Sequence, residues 1–494
     1  MKTLLQIDTS IFSDEGQSSW LAEYFFTAWR ELSRGRAATL RNLAKEPVPH
    51  KLIHEIPERD GGWACRFGAW YKRLLETYVR RFIQTLFVLQ GRLLVMGMAV
   101  ALSASGSVLA QEKAAEVLES AGVLAFGPDN VLFVGDTKGA AVHAFKLRPA
   151  DITPQTNVAL GNAHTFEGRD LIQGIDRKLA ALLGTNPDQI VINDMVVNQP
   201  SEQIFMSVHR GRGPNAIPVI VKVNDGHLEV LDLDKLPHSK IRVTDVPGQE
   251  TLEFGQRERN LAITDITYYQ GEIFVAGISN EEFASKLRRI RYPFTDRVST
   301  SSIEIWHSVH AEFETRAPII KQVVREFDGV PYLIAAYACT PLVRIPVASL
   351  QDGAHVRGET IGELGYGSTP IDMVSYVDAT DNKEYLLVTH NSRNATRIAL
   401  ADIGRAAPMP VNVPSNFGPA GIPQFPMPMT EVLHLGLLNK QWAVVIRRPP
   451  ADDKRVDLHT LVLPFLFDRS DQIVEMNWPG APDPFGYHSG GQKQ

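Results

Sequence analysis

Residues 119–147 read ESAGVLAFGPDNVLFVGDTKGAAVHAFKL. Three short runs of apolar and β-branched residues alternate here with two polar turns that contain Gly, Pro, Asp and Lys. Runs of this length between turn residues are typical of consecutive antiparallel strands. The stretch therefore predicts a three-stranded unit, and its fold depends on whether the unit repeats.

The same order of strand, turn, strand, loop and strand recurs downstream. The later copies are residues 192–223, 263–290, 316–347, 370–400 and 429–463. Their starts are about 50 to 75 residues apart, which is typical of four-stranded propeller blades with insertions. Second strands such as VLFVG, IFVAG and WAVVI are almost continuously apolar, as expected for strands covered on both faces. We predict a mainly β protein, a β-propeller of six blades, or of seven if residues 220–250 supply another.

One segment departs from the strand pattern. Leu171, Ile175, Leu179 and Leu182 recur at helical spacing within residues 169–189, ahead of Gly184. This segment predicts a helix inserted in a loop.

Composition limits the function classes. The chain has 494 residues, 50 Lys and Arg against 56 Asp and Glu, and a net charge of −6, which gives no reason to expect nucleic acid as a partner. Cys65 and Cys339 are the two cysteines, and Cys339 is expected to be a buried, inert thiol.

A segment typical of export lies inside the chain. Residues 93–112, LLVMGMAVALSASGSVLAQE, combine an apolar run with small residues before a cleavage position after Ala110. Cleavage predicts a periplasmic or secreted protein. If the segment is not cleaved, residues 86–110 provide a membrane anchor or a buried helix, and the protein is cytoplasmic if the signal is not used.

Residues 1–50 begin with a strand, a hydroxyl-rich loop and a helix, which together form a phosphate-binding arrangement. This stretch resembles the start of flavodoxin-like, FMN-dependent NADH:quinone and azo-dye reductases. The resemblance implies that Ser10, Gln17 and Ser18 match the positions that hold the FMN phosphate. It stops near residue 50, so we expect a truncated fragment and no bound FMN, with a helical linker over 51–110.

Residues 111–470 are assigned to the propeller and 471–494 to a flexible tail. The sequence from Ala121 to Asp136 resembles those of the YVTN-type and quinoprotein-amine-dehydrogenase-like propellers. That resemblance implies an architecture rather than a function, since one scaffold carries many activities.

Four acids occupy equivalent positions where the chain enters an innermost strand. They are Asp194, Asp265, Asp372 and Glu431. Oxygen ligands that converge from several blades suit a divalent cation such as calcium. The alternative is structural: each acid binds backbone N–H groups or an Arg and keeps the repeats in register.

Other candidates lie in the polar loops. His307, His310, Glu312 and Arg316 fall within WHSVHAEFETRAPI, residues 306–319, and can bind a metal or pair a His with a carboxylate. The alternative is a solvated loop with a Glu–Arg pair. His209 and His390 follow second strands and are expected near the channel mouth.

These patterns favour an exported binding or scaffold protein that takes a protein partner or small ligand at the channel mouth, or an accessory subunit of a redox enzyme. Two enzyme alternatives remain. One is a metal-dependent, lactonase-like hydrolase that uses the acidic residues, and the other is an FMN-dependent reductase that uses the N-terminal fragment.

Overall fold

The computed structural model describes residues 117–154, 159–164, 167–253, 256–365, 368–411, 419–427, 429, 431–449 and 454–463. Contacts divide the chain into two units, Met1–Ala99 and Val100–Gln494, and every described residue belongs to the second. The predictions for residues 1–110 and 471–494, including those for Ser10, Gln17 and Ser18, lie outside the described residues.

Six antiparallel sheets form the blades, which we number in the chain order of their innermost strands. Blade 1 contains β1 (Leu124–Phe126), β2 (Val131–Asp136), β3 (Ala141–Lys146) and β11 (His238–Arg242). Blade 2 contains β7 (Ile190–Asn198), β8 (Gln203–Arg210), β9 (Ile217–Asn224) and β10 (His227–Val230). Blade 3 contains β14 (Asp265–Tyr269), β15 (Glu272–Ile278), β16 (Ser285–Arg291), β17 (Ser299–His307) and β18 (Glu312–Glu314), with β22 (Ala354–Arg357) parallel to β17.

The remaining blades follow the same plan. Blade 4 contains β19 (Ile319–Phe327), β20 (Val330–Tyr337), β21 (Pro341–Pro346), β23 (Glu359–Glu363) and β27 (Ala420–Gly421). Blade 5 contains β24 (Pro370–Val377), β25 (Glu384–His390), β26 (Ala395–Ala399) and β28 (Phe425–Met427). Blade 6 contains β29 (Val432–Leu437), β30 (Trp442–Arg447), β31 (Asp457–Val462) and β6 (Asp170–Ile172). Outside the blades are α1 (Ile175–Leu183), α2 (Leu400–Arg405), and the two-stranded sheets β4 (Gly161–Asn162) with β5 (Glu167–Gly168) and β12 (Leu252–Glu253) with β13 (Gln256–Arg257).

The innermost strands close into a ring in an order that differs from chain order. Around the channel the order is β1, β14, β19, β24, β29, β7 and back to β1. Blade 2 therefore lies between blades 1 and 6, and its residues interrupt blade 1 between β3 and β11. The strand β6 precedes blade 2 in the chain but completes blade 6 by pairing with β31. This pairing closes the ring where blades 6 and 2 meet.

Each contact between neighbouring blades has its own apolar core. Leu132 and Val134 of β2 pack against blade 2, whereas Val131 and Phe133 pack against blade 3. Side chains alternate along a strand, so a strand between two blades needs apolar residues at every position. This explains the nearly continuous apolar runs and confirms the prediction of a mainly β, six-bladed propeller. Each fully buried Val, Leu or Phe contributes about 1.5 to 3 kcal/mol.

Two details differ from the sequence-based expectation. Residues 220–250 do not form a seventh blade, because β10 completes blade 2 and β11 completes blade 1. The predicted helix is α1, but it begins only at Ile175, since Asp170–Ile172 form β6. Among the described residues, none of the helices has the length and apolar character needed to cross a membrane.

Candidate functional site

Three buried aspartates lie at equivalent positions on β7, β14 and β24. Each carboxylate accepts a backbone N–H from the innermost strand of the next blade in one direction around the ring. The pairs are Asp194 with Leu124 at 2.7 Å, Asp265 with Gln322 at 2.8 Å and Asp372 with Leu435 at 3.0 Å. The aspartates thus alternate with blades 1, 4 and 6, and each one ties two neighbouring blades together.

The three intervening blades present different side chains at the same level. These residues directly precede the three N–H donors, and they are Val123, Lys321 and His434. We call the six residues the channel ring: Val123, Asp265, Lys321, Asp372, His434 and Asp194, in spatial order.

Lys321 joins the three aspartates of the channel ring. Its Nζ lies 3.0 Å from Asp372 Oδ1 and 3.5 Å from one carboxylate oxygen of each of the other two. His434 Nδ1 lies 3.6 Å from Asp372 Oδ2 and 3.9 Å from Asp194 Oδ1. One ammonium group therefore provides the positive charge among three buried carboxylates.

Burial and charge separate the pKa values of the three carboxyl groups. Burial raises the pKa of Asp265 to about 7 in spite of Lys321, and it also raises the pKa of Asp194. Burial acts in the same direction on Asp372, but Lys321 and His434 outweigh it and lower its pKa. Asp372 has the shortest distance to the ammonium group, which accounts for the difference. The carboxylates hold the pKa of Lys321 well above its usual value, against the effect of burial.

A shift in strand pairing accompanies four of the six channel-ring residues. The pairing register between the first and second strands shifts directly before Asp194, Lys321, Asp372 and His434. A bulge of this kind turns the next side chain toward a new direction.

Glu431 does not join the channel ring. It is exposed, has φ of 56°, and lies 3.6 Å from Arg448 Nη1. His434, three residues later, occupies the corresponding position in blade 6. Metal binding by Asp194, Asp265, Asp372 and Glu431 stays a prediction, although Lys321 places an ammonium group among the three aspartates.

A cavity of about 630 Å³ opens above the channel ring, with Val123 in its wall. Residues from the entrances of blades 1 to 4 line it together with the segment 249–261 that connects blades 1 and 3. Among its described lining residues, one is acidic and four carry a positive charge. The acid is Glu119, and the cations are Lys138, Arg212, Arg257 and Arg259.

Three of these cations are held by backbone carbonyls. Lys138 Nζ donates to Pro214 O at 2.9 Å, and Arg212 Nε donates to Asp188 O at 2.6 Å. Arg259 donates to Pro247 O at 2.6 Å and to Lys138 O at 3.1 Å. Within the part of the chain that the structure describes, none of the three forms an ion pair with a carboxylate, although the charge of Glu119 in the same cavity acts on Arg259 at longer range.

Arg257 differs from the other three, since it lies 3.2 Å from Glu250 Oε1.

The structure places the predicted histidines in different surroundings. His209 lines the cavity; its Nε2 accepts the N–H of Ala121 at 3.1 Å, and burial lowers its pKa. His390 is buried against Thr396 Oγ1 at 2.9 Å, and burial together with Arg393 lowers its pKa to about 3. His390 is not among the residues that line the cavity.

A second cluster lies where blades 3 and 4 meet. His307 Nδ1 and His310 Nδ1 lie 2.8 Å and 2.5 Å from the same atom, Glu314 Oε1. Burial acts to lower the pKa of His307, but hydrogen bonds to Cys339 and Glu314 outweigh it and raise that pKa to about 10. Of the other residues predicted in this segment, Glu312 is exposed and Arg316 lies 3.0 Å from Glu258 Oε1.

Sequence reasoning did not find Lys321, His434 or the cavity arginines Arg212, Arg257 and Arg259. A Lys within the apolar run IIKQVV and a His within VLHLGL were available signals, because a charged residue inside an otherwise buried strand needs a partner. Arg257 and Arg259 lie in a segment between blades that the repeats do not cover.

No model of a protein family matches the chain. Over 50 residues, 46% are identical to an FMN-dependent NADH:quinone oxidoreductase of Cellvibrio japonicus (strain Ueda107). The match covers 10% of this chain, and the chain spans 25% of the length of that relative. Similarity to this reductase is thus confined to a short stretch.

Several solved structures are similar to this chain at low identity. A Dyadobacter fermentans DSM 18053 protein of unknown function has a TM-score of 0.29 and 10% identity, with 69% of this chain and 74% of that chain covered. A candidate 6-phosphogluconolactonase of Bacteroides uniformis ATCC 8492 has a TM-score of 0.26 and 10% identity, with 67% and 75% covered. The PQQ-bound aldose sugar dehydrogenase of Streptomyces coelicolor has a TM-score of 0.27 and 10% identity, with 70% and 95% covered.

Proposed function

We propose that this propeller is an exported binding protein whose channel-mouth cavity takes a small anion that carries carboxylate or phosphate groups. The observation that carries the proposal is the cavity of about 630 Å³, whose described lining residues include four cations and one acid. Its size is within the range of small-molecule sites, about 300 to 1,000 Å³. Export is taken from residues 93–112 and not from the cavity.

Charge is the feature that selects the ligand. Guanidinium groups match the planar, two-oxygen geometry of carboxylates and phosphates. Arg259 and Arg212 are oriented by their bonds to carbonyl oxygens, so they lose little freedom when an anion binds. Lys138 adds a third positive charge without a carboxylate partner among the described residues.

The channel ring has a supporting role in this proposal. Lys321 balances Asp372 and ties the innermost strands together below the cavity, and we assign the three aspartates to this ammonium group rather than to a metal. The cavity floor is then a fixed platform for the ligand.

The experiment uses the full chain with citrate, inorganic phosphate and neutral glucose as probes in isothermal titration calorimetry. Binding of citrate or phosphate with weaker or no glucose binding supports the proposal, and each of Lys138→Met and Arg212→Gln should weaken it about tenfold or more. The matched control is Arg291→Gln, whose side chain is 81% exposed and does not line the cavity. Binding that is equal for glucose and the anions, or equal in all three variants, would overturn it.

A second candidate function, flavin-dependent reduction, rests on the 46% identity over 50 residues. In this candidate Ser10, Gln17 and Ser18 hold the FMN phosphate. Flavin absorbance of protein purified from its native host tests it, and loss of that absorbance in Ser18→Ala would support it.

A further inference from the structure

Two histidines and a cysteine from different parts of the chain converge beside the boundary of blades 3 and 4. His307 ends β17, His310 lies in the turn before β18, and Cys339 lies in the turn between β20 and β21. One ring nitrogen of each His and the Cys339 Sγ all lie within 4.8 Å of one another. None of the three lines the channel-mouth cavity.

One carboxylate orients both imidazoles. Glu314 Oε1 lies 2.8 Å from His307 Nδ1 and 2.5 Å from His310 Nδ1, and the two ring centroids are 4.1 Å apart. A metal-binding His commonly gives its second ring nitrogen to a carboxylate in this way, which fixes the ring and leaves the other nitrogen for the metal.

Access and backbone geometry also suit an ion. The His310 side chain is 47% exposed and Cys339 is half-buried, whereas His307 is fully buried. Cys339 has φ of 75°, a left-handed conformation that is uncommon for residues other than Gly.

We propose that His307, His310 and Cys339 bind a divalent transition metal of borderline softness, such as Zn²⁺, with Glu314 as the positioning residue for both imidazoles. Thiolate with imidazole is a ligand set that favours zinc over calcium or magnesium. Three protein ligands leave a fourth tetrahedral position, which a water molecule or a substrate can occupy.

Binding requires one exchange within the cluster. His307 Nε2 lies 3.0 Å from Thr340 Oγ1, and the Thr340 hydroxyl also donates to buried Glu363. When the metal binds, His307 Nε2 and the Cys339 thiol each release a proton to solvent and His307 gives up its bond to Thr340, while Thr340 keeps its bond to Glu363. Metal ligation therefore does not leave the buried hydroxyl without a partner.

A competing set of possible ligands shares the ligand His310 with this site and uses Glu314 as a ligand instead of as a positioning residue. His310, Glu312 and Glu314 also lie close enough together to hold an ion, but two of them are exposed, and the set has no sulfur atom. The presence or absence of a sulfur ligand therefore distinguishes the two sets.

The test uses the full chain after removal of metal with a chelator, titrated with Zn²⁺ in a calorimeter and with Co²⁺ in an optical spectrometer. We expect one equivalent of metal and a thiolate-to-cobalt charge-transfer band. Cys339→Ser and His310→Ala should each lower the affinity at least about 100-fold, and Glu314→Gln about 10- to 100-fold. Cys65→Ser and His355→Ala are the matched controls and should leave both readouts unchanged.

X-ray absorption of the zinc-loaded wild-type chain needs no variant and covers the case in which a variant fails to fold. A sulfur neighbour at about 2.3 Å supports the site, and a shell of oxygen and nitrogen alone overturns it. The proposal is also overturned by a Co²⁺ spectrum that survives Cys339→Ser, by metal binding that is lost in Glu312→Gln but kept in Cys339→Ser, or by the absence of binding.

Discussion

Lys321 Nζ lies 3.0 Å from Asp372 Oδ1, across the boundary between blades 4 and 5. The same nitrogen lies 3.5 Å from one oxygen of Asp194 and 3.5 Å from one oxygen of Asp265. A single side chain thus links four of the six innermost strands. Buried charges of this kind are stable only when they remain paired, so each member of the group is expected to be sensitive to substitution.

Lys321→Met removes the ammonium group and leaves the three carboxylates without it. We expect the free energy of unfolding at pH 7 to fall by about 3 to 5 kcal/mol, measured by urea denaturation. The control is Lys146→Met, since Lys146 pairs with Asp129 at 3.6 Å on the exposed surface and should change the stability by less than about 1 kcal/mol. Equal losses in the two variants would contradict the role of Lys321.

Asp265 predicts a pH dependence. Its pKa is about 7 in the folded chain against an ordinary value of 3.8. Between these two pH values the native state therefore binds more protons than the unfolded state. The stability from protonated Asp265 is fully present below pH 3.8 and is lost as the pH rises through about 7. Relative to Asp265→Asn, the wild-type chain should lose on the order of 3 to 4 kcal/mol across this window.

Denaturation midpoints between pH 4 and pH 8 measure this difference. Asp129→Asn is the control, because the Asp129 side chain is 86% exposed, and its pH profile should match the wild-type profile. A profile of Asp265→Asn with the wild-type slope would show that Asp265 does not titrate in this range.

The blades could be predicted from the sequence, because each second strand packs against blades on both of its faces and therefore repeats an apolar pattern. The order of the blades around the ring could not be predicted from the sequence. A pairing of β6 with β31 joins residues far apart in the chain, and no local pattern in Asp170–Ile172 indicates it.

The channel ring could be predicted only in part. The residues that precede Asp194, Asp265 and Asp372 at the strand entrances are similar in sequence, so these three aspartates were aligned correctly. The alignment followed acidic residues, and in blade 6 it took Glu431, whereas His434 three residues later occupies the corresponding position. Lys321 was missed for the same reason, since the corresponding residue of blade 4 is basic.

Asp170 lies on β6, whose pairing with β31 completes blade 6, and we expect its contacts to stabilise that closure of the ring. Its Oδ1 lies 2.7 Å from His459 Nδ1 and 3.5 Å from Arg447 Nη2, and the hydrogen bond to His459 is the main cause of its lowered pKa. Asp170→Asn should lower the free energy of unfolding at pH 7 by about 1 to 3 kcal/mol, measured by thermal melting.

The sign of the pH effect is opposite to that of Asp265. Because the folded pKa of Asp170 is depressed, its contribution is present above the ordinary value of 3.8 and is lost as the pH falls through the lower folded value. The loss in Asp170→Asn should therefore shrink in acid. Asp225→Asn, at an exposed turn, serves as the control; a loss of the same size there would contradict the assignment.

Addition of Ca²⁺ tests whether the three aspartates of the channel ring are balanced by Lys321 or bind a metal ion. With Lys321 among the three aspartates, Ca²⁺ at millimolar concentration should leave the melting temperature of the wild-type chain unchanged. In Lys321→Met the carboxylate oxygens lose their cation, and Ca²⁺ should then raise the melting temperature, because it binds such oxygens. A Ca²⁺-dependent rise in the wild-type chain that Asp372→Asn abolishes would instead support the predicted metal site.

Residues 93–112 predict the start of the mature protein. The small residue Ala110 directly precedes the cleavage position and Val108 lies two residues before it, a pattern that signal peptidase accepts, so the protein recovered from outside the cytoplasm of its native host should begin at Gln111. Intact-mass spectrometry measures this directly, and Ala110→Pro should block the cleavage. A mass that corresponds to a start at Met1 would keep residues 1–50 in the working protein. The reductase-like Ser10, Gln17 and Ser18 would then be retained in the same chain as the propeller, and flavin-dependent reduction would become the function to test first.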